Sequence, residues 1–135
     1  MGIPEIEDAG CLLCFGYNGA DSHPIVARRI VRGRQKGMKI ICADPRVTET
    51  ARISDIHLQL KGGSNLALVN AMANVIWTEG LADTKFIEEH TKGFEEFLKV
   101  IEKYTPEYAE PITHIPAETI RKAARMYATT KPAMI

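Results

Sequence analysis

The 135-residue chain lacks several features that would assign it to a special class of protein. It has only three cysteines, an odd number, which excludes a disulfide-linked scaffold. It contains no run of about 18 apolar residues, the length needed to span a bilayer. Its first residues do not form a basic region followed by an apolar core. Lys plus Arg and Asp plus Glu both number 17, so net charge does not indicate nucleic acid. We therefore expect a cytoplasmic protein with neither nucleic acid nor membrane as partner.

The composition is that of an ordinary globular chain, with 45% hydrophobic and 25% charged residues. The balanced charge conceals an asymmetry along the sequence. Residues 28–61 carry nine basic and three acidic residues, whereas residues 79–118 carry four basic and ten acidic ones. A basic half suits phosphate or a negatively charged partner surface, and solvated helix faces are the alternative interpretation.

The first third of the chain has the pattern of a strand–helix–strand unit. The apolar run at residues 11–15 predicts a buried strand, and Asp21 or Ser22 would cap a following helix that ends at Gly37. Residues 39–43 predict a second buried strand. Such units build parallel sheets and place ligands beyond the carboxyl ends of the strands.

The remaining sequence predicts a smaller strand and several helices. We expect a helical turn over 48–54, a strand over 56–60, and a buried helix over 66–77 that Ser64 caps and Gly80 ends. More exposed helical sequence follows. The prolines predict a connector over 104–115. We expect a last helix to begin at 116–118 and another strand to begin within 131–135. We expect one domain over 1–135, with a core at 9–80 and a helical extension at 81–135 that leads into a truncated strand.

Three predicted loops, each at the carboxyl end of a strand, carry the candidate ligand-binding residues. Glycines let a backbone approach a ligand, a helix start attracts phosphate, and an acidic residue after the second strand suits a ribose hydroxyl. Turn and cap chemistry is the alternative for any single loop, but three loops at one sheet edge indicate a nucleotide-bearing ligand. The candidates are Gly16, Tyr17, Asn18, Asp21 and Ser22; Asp44, Pro45, Arg46 and Thr48; and Gly63, Ser64 and Asn65.

The cysteines and histidines do not form a recognisable metal or catalytic site in the sequence. Residues three apart in a strand point to opposite faces, so Cys11 and Cys14 could not chelate one ion together. Cys42 stands alone in the other strand. We therefore expect buried core thiols, no metal ligands and no catalytic residues in this chain.

Several stretches resemble the molybdopterin oxidoreductase family, and within it the catalytic alpha subunits of formate dehydrogenases. They are residues 15–29 (FGYNGADSHPIVARR), 44–52 (DPRVTETAR) and 60–72 (LKGGSNLALVNAM), with shorter ones at 93–96, 104–107 and 120–128. The resemblance covers nearly the whole chain in order. It implies an α/β, Rossmann-like, three-layer domain with a short parallel sheet flanked by helices and a helical C-terminal part.

The resemblance also implies a cofactor and a reaction. Family members hold molybdenum or tungsten between two molybdopterin guanine dinucleotides, and those of this kind oxidise formate to carbon dioxide with release of two electrons. By similarity, Asp44 and its neighbours would hold the guanosine end of one dinucleotide. Gly16, Asn18 and the helix start at Ser22 would meet its pyrophosphate region. The implied partners are the remaining domains of the same subunit and an electron-transfer subunit.

Other family features are missing from the sequence. It has no four-cysteine cluster motif, no cysteine or selenocysteine followed by histidine, and not the arginine that neighbours that pair. We therefore expect one interior domain of a larger subunit, with the iron–sulfur cluster in a missing N-terminal region and no activity in isolation. A stand-alone nucleotide-binding or assembly domain is the alternative.

Overall fold

The computed structural model describes residues 3–135, which separate into two compact units. The first unit runs to Leu60 and also contains Thr129–Ile135, and the second unit is Lys61–Ala128. The predicted core at 9–80 therefore includes residues of both units. Its organisation as one domain with the extension at 81–135 stays a prediction.

A four-stranded parallel sheet forms the centre of the first unit. The strands are β1 (Cys11–Phe15), β2 (Lys39–Ala43), β3 (Ile56–Leu58) and β4 (Ala133–Met134), in the order β3-β2-β1-β4. The predicted strands at 11–15 and 39–43 are confirmed, and residues 131–135 contain β4. The third strand ends at Leu58 instead of residue 60, because the Leu60 amide bonds to the Leu58 carbonyl and turns the chain.

Short helices accompany this sheet in the first unit. They are a 3₁₀ helix (Ile3–Asp8), α1 (Gly19–Ser22), α2 (Pro24–Gln35) and α3 (Glu49–Arg52). Ile30 of α2 is buried in one apolar cluster with Leu12 and Ile40 of the sheet. The apolar stripe of α2 therefore packs on the sheet, and the two form one core.

The start of α2 differs from the sequence prediction. Its N-cap residue is His23, not Asp21 or Ser22, and Pro24 is the first helical residue. Ser22 and Asp21 belong to α1, where the Ser22 hydroxyl donates to the Asn18 carbonyl at 2.9 Å. Because Asp21 and Ser22 lie within this additional helix, they do not cap α2. The helix does end as predicted, with Gly37 at positive φ after the C-cap residue.

The partly buried carboxylate of Glu7 connects the 3₁₀ helix to α2. The Glu7 carboxylate accepts from Arg29 at 2.5 Å and from Lys36 at 3.1 Å, and Arg32 lies 3.6 Å away. Hydrogen bonds from Arg29 and Lys36 lower the pKa of Glu7 to about 2. The first described residues of the chain are therefore held to α2 by charge.

The second unit is helical. Its helices are α4 (Asn65–Thr78), α5 (Thr84–His90), α6 (Phe94–Ile101), α7 (Pro106–Thr113) and α8 (Ala117–Thr129), whose last residue lies in the first unit. The predicted helix after residue 64 is confirmed, but it is not buried all round. Leu66 and Val69 are exposed on α4, while Leu68, Ala71 and Val75 form its buried face.

The predicted connector over 104–115 is wrong, because these residues contain α7. Pro106 occupies the first helical turn, where a missing N–H removes no bond. Thr105 caps the helix by accepting from the Tyr108 amide at 3.2 Å. Pro111 lies in the last turn, so only the end of a short helix lacks a donor.

The predicted fold class is confirmed: the chain is α/β with a short parallel sheet and helices. Within residues 3–135, no helix combines the length and the apolar character that a membrane crossing requires.

Candidate functional site

Two of the three predicted loops leave the sheet side by side. Phe15 and Ala43, the last residues of β1 and β2, are register partners in the parallel ladder. The Gly16 amide extends that ladder by donating to the Ala43 carbonyl at 2.9 Å. Because both strands point the same way, the loop of residues 16–22 and the loop of residues 44–48 begin at one edge. This edge of the first unit is the candidate site.

The backbone of the first loop turns at Gly16, which has φ +57° and open space where a Cβ would stand. Asn18 then organises the loop, since its Nδ2 donates to Asp21 Oδ2 at 2.5 Å and its carbonyl accepts from Ser22. The His23 ring nitrogen lies 2.9 Å from the Ser22 hydroxyl. These bonds fix the loop without using every polar group in it.

Two polar atoms of this loop are buried without a hydrogen-bond partner: Tyr17 Oη and Asn18 Oδ1. The Tyr17 ring stacks with the His23 ring at 6.2 Å between centroids and lies against Gly19, where a Cβ would collide with it. Burial raises the pKa of Tyr17, so its hydroxyl stays protonated and can donate. An unmade hydrogen bond of a buried group costs about 1–3 kcal/mol. The loop therefore holds an unused donor and an unused acceptor.

The second loop begins with Asp44, whose side chain is almost fully buried. Asp44 Oδ1 accepts from the Arg46 amide at 2.7 Å, and the Arg46 guanidinium lies 3.8 Å from the same oxygen. The Asp44 carbonyl is 2.9 Å from His57 Nε2 on β3. A carboxylate can accept several hydrogen bonds, so one backbone donor leaves Asp44 with acceptor capacity. Most of the Arg46 side chain is exposed, so its guanidinium is accessible to an anion from solvent.

Pro45 and Thr48 have structural roles in this loop. The Pro45 carbonyl accepts from Gln59 Nε2 at 3.1 Å. Thr48 is the N-cap residue of α3, where its hydroxyl oxygen accepts from the Ala51 amide at 3.2 Å, and it also bonds with the Cys42 thiol. The hydroxyl of Thr48 is therefore engaged within the protein.

The third predicted loop lies in the second unit. Gly63 has φ +85°, which favours glycine, and leads into Ser64 at the N-cap position of α4. The Ser64 hydroxyl does not cap the helix as predicted, because it donates backwards to the Lys61 carbonyl at 2.6 Å. The first amides of α4 therefore lack a side-chain cap, and Asn65 is exposed beside them.

The three cysteines are free and buried in the sheet. Burial raises the pKa of Cys11 to about 11, of Cys14 to about 12 and of Cys42 to about 11. Such thiols remain protonated, and the prediction of core thiols is confirmed. Within residues 3–135, no three His, Cys, Asp or Glu side chains are grouped as a metal site requires.

The structure thus brings together two of the predicted loops and describes the third in its own unit. The convergence of all three, and the ligand role of every candidate residue, stay predictions. Sequence reasoning missed two supporting residues, Gly19 under the Tyr17 ring and His57 behind Asp44. The alternation of Ile56, His57 and Leu58 could have indicated that His57 faces away from the two buried neighbours.

Comparisons with known proteins cover nearly the whole chain. A family model described as molybdopterin oxidoreductase matches residues 2–135. Formate dehydrogenase H of Escherichia coli is 53% identical over 98% of this chain and 19% of its own length. The F420-dependent formate dehydrogenase subunit alpha of Methanocaldococcus jannaschii is 49% identical over 98% of this chain and 20% of its own.

More distant matches have other names. A nitrate reductase of Symbiobacterium thermophilum is 42% identical over 91% of this chain and 18% of its own. Among solved structures, acetylene hydratase from Pelobacter acetylenicus superposes with a TM-score of 0.88, at 35% identity over 98% of this chain and 20% of that one. The chain spans about a fifth of the length of these relatives.

Proposed function

The chain belongs to the molybdopterin oxidoreductase family, and from this premise we propose that it binds one molybdopterin guanine dinucleotide as part of the catalytic subunit of a formate dehydrogenase. The complete subunit would oxidise formate to carbon dioxide with release of two electrons. The isolated chain would have no activity, because its sequence lacks the cysteine or selenocysteine followed by histidine, and the arginine beside that pair, that the family resemblance implies.

The choice of reaction is supported by the order of similarity among the relatives. The two formate dehydrogenase relatives named above are 53% and 49% identical to this chain. The nitrate reductase relative is 42% identical. Formate is therefore the substrate we propose, and nitrate is the one to test against it.

The observation that carries the binding proposal is the pair of unpartnered atoms in the loop that follows Gly16. Tyr17 Oη and Asn18 Oδ1 offer a donor and an acceptor at an edge where open space lies over the Gly16 backbone. Ligand sites in open α/β sheets lie beyond the carboxyl ends of the strands, and this edge is such a place. A dinucleotide, which carries hydroxyls, phosphates and a base, has the groups to complete these bonds.

The residues of the second loop fit the guanosine end. Asp44 would accept from ribose or base donors, with its position fixed by the Arg46 amide and by His57 behind its backbone. The exposed guanidinium of Arg46 presents planar donors to a phosphate or to a guanine edge.

In the second unit, the uncapped start of α4 with Gly63, Ser64 and Asn65 would supply backbone donors to an anionic or carbonyl group.

The bound cofactor would supply the molybdenum or tungsten centre at which formate loses two electrons. The remaining domains of the same subunit and an electron-transfer subunit are the proposed partners, and the cytoplasm is the proposed location. Any iron–sulfur cluster would lie in a part of the subunit outside this sequence.

The experiment is a content analysis of the complete polypeptide that carries this chain, purified from its own host. We expect molybdenum or tungsten together with GMP released by acid hydrolysis, and formate-dependent reduction of a dye. Asp44→Ala should lower the GMP and metal content several-fold, because the guanosine end loses an acceptor. Asp8→Asn is the matched control, since that exposed carboxylate lies outside the site.

Unchanged GMP and metal content in Asp44→Ala would contradict the role of the second loop. Nitrate-dependent oxidation of a reduced dye, without formate activity, would replace the proposed substrate. Tight binding of GDP by the 135-residue chain alone would favour the alternative of a stand-alone nucleotide-binding domain. Part of a site should bind GDP weakly, because contacts from the rest of the protein are missing.

A further inference from the structure

The regular pairing between β2 and β3 stops where the second loop begins. The Asp44 amide donates to the Leu58 carbonyl at 3.3 Å, which continues the parallel ladder past the end of β2. In a regular ladder the Leu60 amide would then donate to the Asp44 carbonyl. Instead the Leu60 amide bonds to the Leu58 carbonyl at 2.9 Å. The Arg46 amide is also turned away from β3, since it bonds to Asp44 Oδ1 at 2.7 Å.

A side chain of β3 takes the place of the missing ladder bond. His57 Nε2 lies 2.9 Å from the Asp44 carbonyl oxygen. A carbonyl oxygen only accepts, so Nε2 carries the hydrogen and the imidazole donates. The register partner of His57 on β2 is Cys42, so the imidazole reaches forward along the neighbouring strand to Asp44. The histidine thus holds the backbone of the residue whose carboxylate we place at the guanosine end.

The residue two positions after His57 makes a bond of the same kind. Gln59 Nε2 donates to the Pro45 carbonyl at 3.1 Å. Side chains two residues apart on an extended chain point to the same side, which explains why these two reach neighbouring carbonyls. We call His57 and Gln59 the donor pair. Through it, the end of β3 determines where the backbone of the second loop lies.

The donor pair restrains a carboxylate that is itself closely confined. The Asp44 side chain is only 3% exposed, and its Oδ1 is fixed by the Arg46 amide. The carboxylate therefore moves together with the backbone of the loop. Groups that bind a ligand must be held within about 0.5 Å of their productive positions by the bonds around them. Loss of a backbone restraint at Asp44 would shift the carboxylate without removing it.

We propose that His57, assisted by Gln59, is a positioning residue for the guanosine end of the cofactor. The donor pair holds the Asp44 carboxylate where it accepts from the ligand, and His57 acts on the ligand only through Asp44. The inference rests on the proposed function, because it requires that Asp44 binds the dinucleotide.

The experiment measures how fast the complete polypeptide, purified from its own host, loses its GMP-bearing cofactor. GMP that remains with the protein after timed incubation and gel filtration is released by acid hydrolysis and counted. We expect His57→Leu to lose it about fivefold faster, the change that one net hydrogen bond makes in an equilibrium constant. His57→Gln should restore the wild-type rate, because its Nε2 is separated from Cβ by the same number of bonds and also donates. His90→Leu is the control, since it removes an exposed histidine of α5.

A double variant separates positioning from general stability. Because His57 acts through Asp44, His57→Leu should cause no further acceleration in an Asp44→Ala background. A merely structural role would accelerate the loss by the same factor in both backgrounds. Thermal melting followed by circular dichroism compares the folding of all variants.

Three results would overturn the proposal: a wild-type rate in His57→Leu, equal rates in His57→Leu and His57→Gln, or independent effects in the double variant. Gln59→Leu is a second test that does not require His57→Leu to fold, because Gln59 is exposed. It should also lose GMP faster, and a wild-type rate would contradict the donor pair. A wild-type polypeptide without GMP would refute the proposed function and this inference together. GMP that is present but indifferent to His57→Leu would refute this inference alone.

Discussion

Tyr17 and Asn18 are residues whose polar groups the fold buries without satisfying. Folding normally pairs such groups, because a buried donor without an acceptor has lost its water and gained nothing. Here the Tyr17 ring is held by His23 and by the bare Gly19 backbone, so the hydroxyl cannot swing out without losing those contacts. The two unmade hydrogen bonds therefore cost the loop stability, and the ligand that we propose would supply the missing partners.

Tyr17→Phe should separate stability from binding. We expect the free energy of unfolding of the 135-residue chain to rise by up to about 1 kcal/mol, because the unpaired hydroxyl is removed while the ring stays. The same change in the complete polypeptide should lower the amount of released GMP. Urea unfolding followed by circular dichroism measures the first quantity.

Tyr108→Phe is the control for this change, since Tyr108 is exposed and its hydroxyl is not among the buried unpartnered atoms. A clear loss of stability in Tyr17→Phe would mean that the hydroxyl has a partner in the folded chain, and the orphaned donor would no longer support a ligand site.

At the scale of elements, the 3₁₀ helix and α2 show how one residue can fix a segment. The Glu7 carboxylate faces three cations of α2 and its C-cap, and its side chain is only 12% exposed. The 3₁₀ helix itself has no buried residue among those described. The ion pairs of Glu7 and the packing of the partly buried Ile6 against the core cluster therefore hold this segment in place together.

Glu7→Gln should lower the melting temperature in a pH-dependent way. The pKa of Glu7 is about 2 in the fold against an ordinary value of 4.5, so the ionised form is the one that stabilises. The stabilisation is complete above pH 4.5 and is lost as the pH falls towards 2. The difference in melting temperature between wild type and variant should shrink over that range. A constant difference would show that the hydrogen bonds, not the charge, are responsible.

The sequence predicted some elements well for identifiable reasons. Residues 11–15 and 40–43 are short apolar runs that end at turn residues, and such runs have few alternatives to a buried strand. The helix α7 was missed because Pro106 and Pro111 argue against helix when position is ignored, although each lies in a terminal turn. The exposure of Leu66 and Val69 could not be predicted, because an apolar composition does not tell which face of a helix remains in solvent.

The position of the candidate site could be predicted from the sequence, but its side-chain contacts could not. Gly16 and Asp44 follow strands directly, so their position at the sheet edge follows from topology. The bond between Asn18 and Asp21, the Tyr17 ring over Gly19 and the reversed role of the Ser64 hydroxyl depend on local packing. No spacing rule contains that information.

For the whole molecule, the order of the elements along the chain determines when the sheet can be completed. The first unit is discontinuous, because β4 joins β1 only after the 68 residues of Lys61–Ala128. Gly10 and Cys11 donate to the Pro132 carbonyl, at 2.8 Å and 3.2 Å, beside this pair. Bringing distant segments together is easier when the intervening chain is compact. Folding of the second unit should therefore favour completion of the sheet.

Two natural probes can test this coupling. All three thiols lie in the first unit, and the single tryptophan lies in the second. We expect thiol labelling and Trp77 fluorescence to show the same midpoint in urea, which is the outcome for a chain that unfolds as the one domain predicted from its sequence. The native thiols, with pKa values of about 11 to 12, should stay unlabelled at neutral pH. Separate midpoints would show two independently folding units.

The late position of β4 also has a consequence for synthesis on the ribosome. The outer edge of β1 has no strand beside it until β4 emerges, roughly 6 to 25 seconds after β1 at ordinary rates of translation. During that interval an apolar strand edge is exposed to neighbouring nascent chains. A chaperone that shields the emerging chain would act on this edge, and a pause in translation before residue 133 would lengthen its exposure.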